Sequence, residues 1–338
     1  MNECKALHDL FEALDLAFVE QVLERSYGRK RTGRHPRSLL GQFKTELLKR
    51  VARIENYDEL HRLLQNEEDL RLLCDIKEGE KPYHPSILLR FRKRIGPETF
   101  QLIMAHCVKQ LDRMNMLDAR TVALDATFIK AYSRRDPEDT RRGFSDVEAR
   151  LRKQGRNVTL GYGVHLAVDV VRGLVIGFVV VPANRNEKRV LPHLLIRLVM
   201  TGFHIKTLIA DTQYSSNLIR ILCSLCKITA IIPYPKNQFK HVKGLLRVDR
   251  LFRAHGPKKQ VKLYHKRSAN ERGNAWLKGF YGLEQLRTRG LENATIHVTP
   301  CVMASYIIAI AALKHRRPDL IRSPTLPHQI YAQKLKLQ

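Results

Sequence analysis

The chain has 338 residues and carries 60 Lys and Arg against 33 Asp and Glu, a formal charge of +27 with histidine neutral. With 44% hydrophobic and 28% charged residues it reads as globular, long enough for two domains that each bury a core, which excludes a disordered chain. Six cysteines in this length are no disulfide framework, the N-terminus (MNECKALHDLFEALDL) resembles no secretory signal, and the longest apolar run, residues 301–313, falls short of the ~20 residues a membrane span requires. A soluble cytoplasmic, nucleoid-associated protein is expected.

A field of this sign makes a polyanion the expected partner, with nucleic acid ahead of an acidic membrane surface because no amphipathic anchor is visible. The charge is uneven. Residues 1–150 hold 28 Lys and Arg against 25 Asp and Glu, whereas residues 151–338 hold 32 against 8. Polyanion binding is therefore expected mainly in the second half.

Residues 1–118 read as an α-helical domain, with apolar positions three and four apart in SLLGQFKTELLKRVARI, YDELHRLL and ETFQLIMAHCVKQLDRM. Pro36 and Pro85 stand just ahead of two such stretches, where helices begin. HPSILLRFRKRI places Arg90, Arg92, Lys93 and Arg94 together, which predicts either a solvated face or a helix that contacts DNA.

From TVALDATFIK onward β-branched and alternating residues replace the helical period. Strands are expected at 160–171 and 174–183, joined by a hairpin at Arg172-Gly173. Then follow a helix over 187–202, a strand KTLIAD, a helix over 215–226, a strand ITAIIPYP, a basic loop and a long helix from about 268. The order β-β-β-α-β-α-β-α predicts one mixed sheet with helices on its faces, filling residues 119–325 and followed by a basic tail over 326–338. The charged insert at 133–157 reads as a mobile surface loop.

Only eight carboxylates occur after residue 150, and two are placed unusually. Asp211 closes the strand TLIAD at its carboxyl end, where open α/β sheets put ligand groups, although an N-cap or turn is the simpler reading. Glu271 has a capping-box explanation through Ser268. On a helical wheel, however, Tyr264, Arg267, Glu271 and Lys278 share an arc of roughly 60°, opposite Ala269, Trp276, Leu277 and Phe280. A third acid, Asp125, sits in mid-strand on the face shared with Thr121, Ala123 and Thr127, against β propensity. Three carboxylates from different elements are the minimum equipment for phosphoryl transfer on divalent cations.

The spacing Tyr264-x2-Arg267-x3-Glu271-x6-Lys278 resembles the Tyr-Arg-Glu-Lys signature of prokaryotic insertion-sequence transposases with an Asp-Asp-Glu triad. LDATFIKA around Asp125 is similar to that family's first-Asp strand, IADTQYSSN to its second-Asp motif, and residues 36–95 to its helical N-terminal domain, for which DNA-end binding is expected. The resemblance implies an RNase H-like catalytic domain in which Asp125, Asp211 and Glu271 bind two Mg2+ or Mn2+ ions. It implies nicking at element ends by activated water and attack of the freed 3′-hydroxyl on target DNA. Tyr264, Arg267 and Lys278 would hold phosphates of double-stranded DNA, and the protein would act as a homodimer or higher assembly. Gln213 stands where the family commonly has Gly, and the 60 residues between Asp211 and Glu271 leave little room for the β-rich insertion of some relatives. The rival readings are a catalytically inactive DNA-binding derivative and a nuclease of the same fold.

Other signals are weaker. Cys223-x2-Cys226 reads as buried thiols rather than a zinc site, and Gly161-x-Gly163 lacks a dinucleotide-loop context. His165 and His193 read as core histidines, Asp169 as a strand end, and Trp276 as core.

Overall fold

The computed structural model describes residues 11–12, 14–28, 36–135, 143–235, 258–314, 316 and 320–323. It divides into two compact units, Met1–Gln110 with Trp276–Gln338, and Leu111–Ala275. The expected basic tail at 326–338 and much of the basic loop before residue 258 lie outside the described residues.

The first unit is helical. It contains α1 (Leu16–Tyr27), α2 (Leu39–Val51), α3 (Tyr57–Asn66), α4 (Glu68–Leu73), most of α5 (Pro85–Arg113) and α10 (Leu291–Lys314). Side chains at the helix starts satisfy amides that have no intrahelical partner: Asp15 accepts from Phe18 N, Ser38 from Gly41 N and Asn56 from Glu59 N. Gly96, at φ 77°, breaks α5 in two ahead of Pro97, since the residue before a proline avoids helical angles and only glycine takes this φ without strain. The apolar run 301–313 belongs to a longer element than expected. Over Leu291–Leu313, α10 is long and apolar enough to cross a membrane, but 89% of that window is buried within the protein. It packs against α2 as the core helix of this unit.

The second unit is built on a six-stranded mixed sheet: β1 (Thr121–Lys130), β2 (Arg150–Gln154), β3 (Asn157–Asp169), β4 (Val175–Pro182), β5 (Thr207–Ile209) and β6 (Thr229–Ile231). The order is β2-β3-β1-β5-β6, with β4 also on β3. β1 is antiparallel to β3 and parallel to β5, which is parallel to β6. This is the mixed sheet with flanking helices expected from the sequence. The flanking elements are α6 (Glu187–Met200) against β4, α7 (Asn217–Leu225) against β6, and α8 (Lys258–His265), also against β6. α9 (Ser268–Phe280) follows α8. The hairpin at Arg172-Gly173 forms as expected. Asp169 ends β3, and its carboxylate accepts from Val171 N and Arg172 N.

Two elements differ from the sequence reading. β2 lies inside the stretch taken for a loop: RLRKQ has no apolar alternation because its fold is set by backbone pairing to β3 (Arg150↔Gly161 to Gln154↔Asn157), with largely exposed, charged side chains. The helix from 268 is preceded by a separate helix, α8, so Tyr264 and Arg267 do not share a helix with Glu271. His193 is exposed rather than core, Cys226 is exposed while Cys223 is buried, and Trp276 is only partly buried. Gly161 has a packing explanation. A Cβ on Gly161 would sit 2.1 Å from Ile129 O and 2.6 Å from Phe128 Cζ.

Candidate active site

Asp125 lies in mid-β1, at the level where the neighbouring β5 has ended and Asp211 follows it. Ala123 pairs with Ile209 across the parallel β1–β5 ladder, and Asp125 and Asp211 each follow two residues further on. Beneath Asp125 on the same face, Ala123 packs with Ile209, Ile231, Val261 and Tyr264, which fixes α8 over the sheet. The chain leaving α8 then delivers Arg267. Its Nη1 lies 3.8 Å from Asp125 Oδ2 and its Nη2 donates to Glu271 Oε1 at 3.0 Å. One guanidinium thus joins the first and third carboxylates of the expected triad.

The two acids have different surroundings. Asp125 is only 23% exposed at its side chain, whereas Glu271, on the first turn of α9, is 61% exposed. Burial holds the Asp125 carboxyl above the usual carboxylate range, Arg267 and the Ala126 N–H oppose that rise, the Glu271 charge adds to it, and Arg152 opposes it. Asp211 caps the short 3-10 turn Thr212–Tyr214 and accepts from Thr212 N at 2.5 Å. The N-cap geometry and a position level with Asp125 therefore coexist in this one residue.

Side chains that the sequence reading did not place in the site support it. Tyr214, 2% exposed, shares a 2.7 Å hydrogen bond with His165 Nδ1, and burial followed by the charges of Asp125 and Glu187 holds its hydroxyl well above the ordinary range. Burial, and secondarily Arg152, lowers the His165 pKa to about 4, which keeps the ring neutral at pH 7. Arg152 itself comes from β2, and its charge acts on Asp125, His165 and Tyr214 alike. Only the missed strand could have signalled it, through two arginines two residues apart.

The structure places the residues expected to contact DNA as follows. Tyr264 is 8% exposed with a fully buried hydroxyl, and it packs in the cluster under Asp125 rather than facing a ligand. Lys278 is in the other unit, where it pairs with Glu284 at 2.8 Å. Arg92 is 2% exposed and donates to Tyr57 Oη at 2.6 Å and Asn293 O at 3.3 Å, so it is a structural arginine of the helical core. Arg94 stacks on Tyr27, 3.8 Å from the ring centroid, and donates to Tyr27 O and Gly28 O. Arg90 reaches back to Ser86, and Lys93 is exposed.

The donor set suits hard divalent cations: three carboxylates, no thiolate, and one half-buried acid whose ionised form needs a counter-charge. Among the described residues, no three acidic, His or Cys side chains converge closely enough to hold an ion as they stand, because Arg267 lies between Asp125 and Glu271. Glu271 is exposed and held by Arg267, whereas Asp125 lies within β1 and Asp211 caps the turn that follows β5.

The profile of the family described as "Transposase DDE domain" matches residues 117–307, more than half of the chain, and a "Transposase domain" profile matches residues 2–94. The protein belongs to the transposase DDE domain family. A search of curated proteins finds no match. Among solved structures, the chain is similar to the piggyBac transposase in a synaptic complex with hairpin DNA (10% identity, 99% of this chain and 82% of that one, TM-score 0.44). It is also similar to the Mos1 transposase in a paired-end complex with the left transposon end (12% identity, 75% and 82%, TM-score 0.24).

Proposed function

We propose that the protein is a DNA transposase that nicks DNA at the ends of its own element and joins the freed 3′-hydroxyl to target DNA, with Asp125, Asp211 and Glu271 as its catalytic carboxylates. The observation that carries this reading is the parallel register that pairs Ala123 with Ile209, each two residues before Asp125 and Asp211, with Arg267 tying Glu271 to Asp125. The three acids would hold two divalent cations, Mg2+ or Mn2+, which when bound supply charge to activate the attacking oxygen and neutralise the leaving one. The chain's own part is positional. β1 fixes Asp125, the turn after β5 places Asp211, and Arg267 and Arg152 add cationic charge where a scissile phosphate would lie.

The acting form would be a dimer or higher assembly that brings two element ends together. A catalytically silent DNA-binding derivative is the second reading, favoured by the guanidinium that occupies the place between two of the acids. One experiment separates the two. Purified protein is incubated with Mg2+ and a plasmid carrying the DNA that flanks its gene. Nicking is expected, with Asp211→Asn lowering it at least about 100-fold while duplex binding persists. Equal cleavage by wild type and variant overturns the assignment of Asp211, and binding without nicking by the wild type supports the silent derivative.

A further inference from the structure

β2 and β4 both pair with β3, one after the other. Arg150 at the start of β2 is opposite Gly161, and Pro182 at the end of β4 is opposite the next residue, Tyr162. Where they meet, a cavity of about 460 Å3 opens, lined by Arg150, Pro182, Asn184, Arg185, Asn186 and Arg189. Three guanidinium-bearing residues surround it, and no carboxylate is on its lining. All three arginines are exposed. Arg150 is braced from within, its Nη1 donating to Val147 O at 2.7 Å and Ala149 O at 2.9 Å. Asn186 caps α6 by accepting from Lys188 N, so the positive end of that 14-residue helix opens beside the cavity. Like charges gathered around one concavity repel one another, a cost that an anionic ligand removes.

We infer that this cavity is a second DNA-backbone site, in which Arg150, Arg185 and Arg189 hold phosphodiesters of duplex DNA away from the reacting phosphate. The site rests on the transposase reading for its ligand but uses none of the three carboxylates. Its position is set by the sheet. Gly161, which pairs with Arg150, also pairs with Lys130, five residues along β1 from Asp125. Five residues along β1 span about 16 Å, and the two strand spacings from β1 to β2 add about 10 Å across the sheet, so the backbones of Asp125 and Arg150 lie about 19 Å apart. Alternation along β1 puts Lys130, and the Gly161 and Arg150 level with it, on the face of the sheet opposite Asp125, so the cavity would hold a stretch of backbone separate from the one at the carboxylates. Guanidinium forks suit phosphate oxygens and read no base, so the site should position DNA without selecting its sequence.

The test is fluorescence anisotropy with a labelled 30-base-pair duplex of arbitrary sequence, wild type against Arg185→Ala/Arg189→Ala, over a range of salt concentrations. Both side chains are exposed, so far-UV circular dichroism and Tm should match the wild type. Loss of two phosphate contacts should weaken binding at least tenfold near 0.1 M salt and lower the slope of log K against log[salt] by about 2. Asp211→Asn should keep the wild-type slope. Unchanged affinity and slope in the double variant overturn the cavity site while leaving the transposase reading in place. A wild type that binds no duplex overturns both, and a double variant that loses nicking while its affinity and slope are unchanged also overturns the cavity site.

Discussion

At the scale of single residues, the site depends on groups kept in one protonation state by burial. His165 is the clearest case: only 2% exposed, it is neutral down to about pH 4 in the folded protein, whereas in the unfolded chain it takes up a proton near 6.5. Between those values the unfolded state binds more protons, so stability falls as pH drops from 6.5 towards 4. This one group should cost about 3 kcal/mol by pH 4.5. Urea unfolding at pH 7 and pH 4.5 should show His165→Gln losing less stability than the wild type by about that amount. An equal loss in both would mean that burial does not hold the ring neutral. The acids Asp125 and Asp169, raised by burial, act in the opposite sense, which is why the comparison is made against the His165 variant.

At the scale of elements, the contact of β1 with β3 decides where Asp125 points, and Gly161 is its tightest point. A methyl there would meet Ile129 O and the Phe128 ring, whereas at Gly163 the nearest atom, His165 Nε2, is 3.5 Å away. Gly161→Ala should therefore destabilise by about 1–3 kcal/mol through overpacking, and Gly163→Ala by less, measured as the difference in Tm. Because Gly161 also pairs with Arg150, the first substitution should disturb β2 as well. β2 was illegible in the sequence for a definable reason. An edge strand with exposed charged side chains buries little, so it leaves no apolar period to read. The break between α8 and α9 is illegible for another reason: the Tyr264–Lys278 spacing also fits one continuous helix, whereas the chain turns between His265 and Ser268 and Tyr264 packs into the cluster against the sheet.

At the scale of the whole molecule, the excess of +27 is not all available to a polyanion. Lys49, Arg50 and Arg92, each 2% exposed, lie inside the helical unit around Glu46 and Tyr57, whose hydroxyl donates to Glu46 Oε1 at 2.8 Å. Arg50 Nη2 is 3.1 Å from His297 Nδ1, and burial, then Arg50, lowers the pKa of that histidine. Lys49 donates to Ile54 O and Glu55 O, and burial together with the neighbouring Arg50 lowers its pKa to about 7. Removing one member of such a network leaves buried charge uncompensated. Arg92→Ala should cost about 3 kcal/mol by urea unfolding, yet leave the salt slope of duplex binding unchanged. A reduced slope would return Arg92 to the DNA-contacting surface.

The sequence alone determined the family, the order of most elements and the identity of the three candidate acids. Those features rest on local chemistry: apolar period, turn residues, capping side chains and a four-residue spacing. Burial and register, which depend on distant parts of the chain, were left to the tertiary structure. They turned Tyr264 and Arg92 from expected ligand contacts into core residues, put Lys278 beside Glu284, and made Arg267 the link between Asp125 and Glu271. They also formed a cationic cavity from Arg150 and Arg189, which are 39 positions apart in the chain. A charge count places arginines in a half of the chain, but only strand pairing decides which of them share a wall.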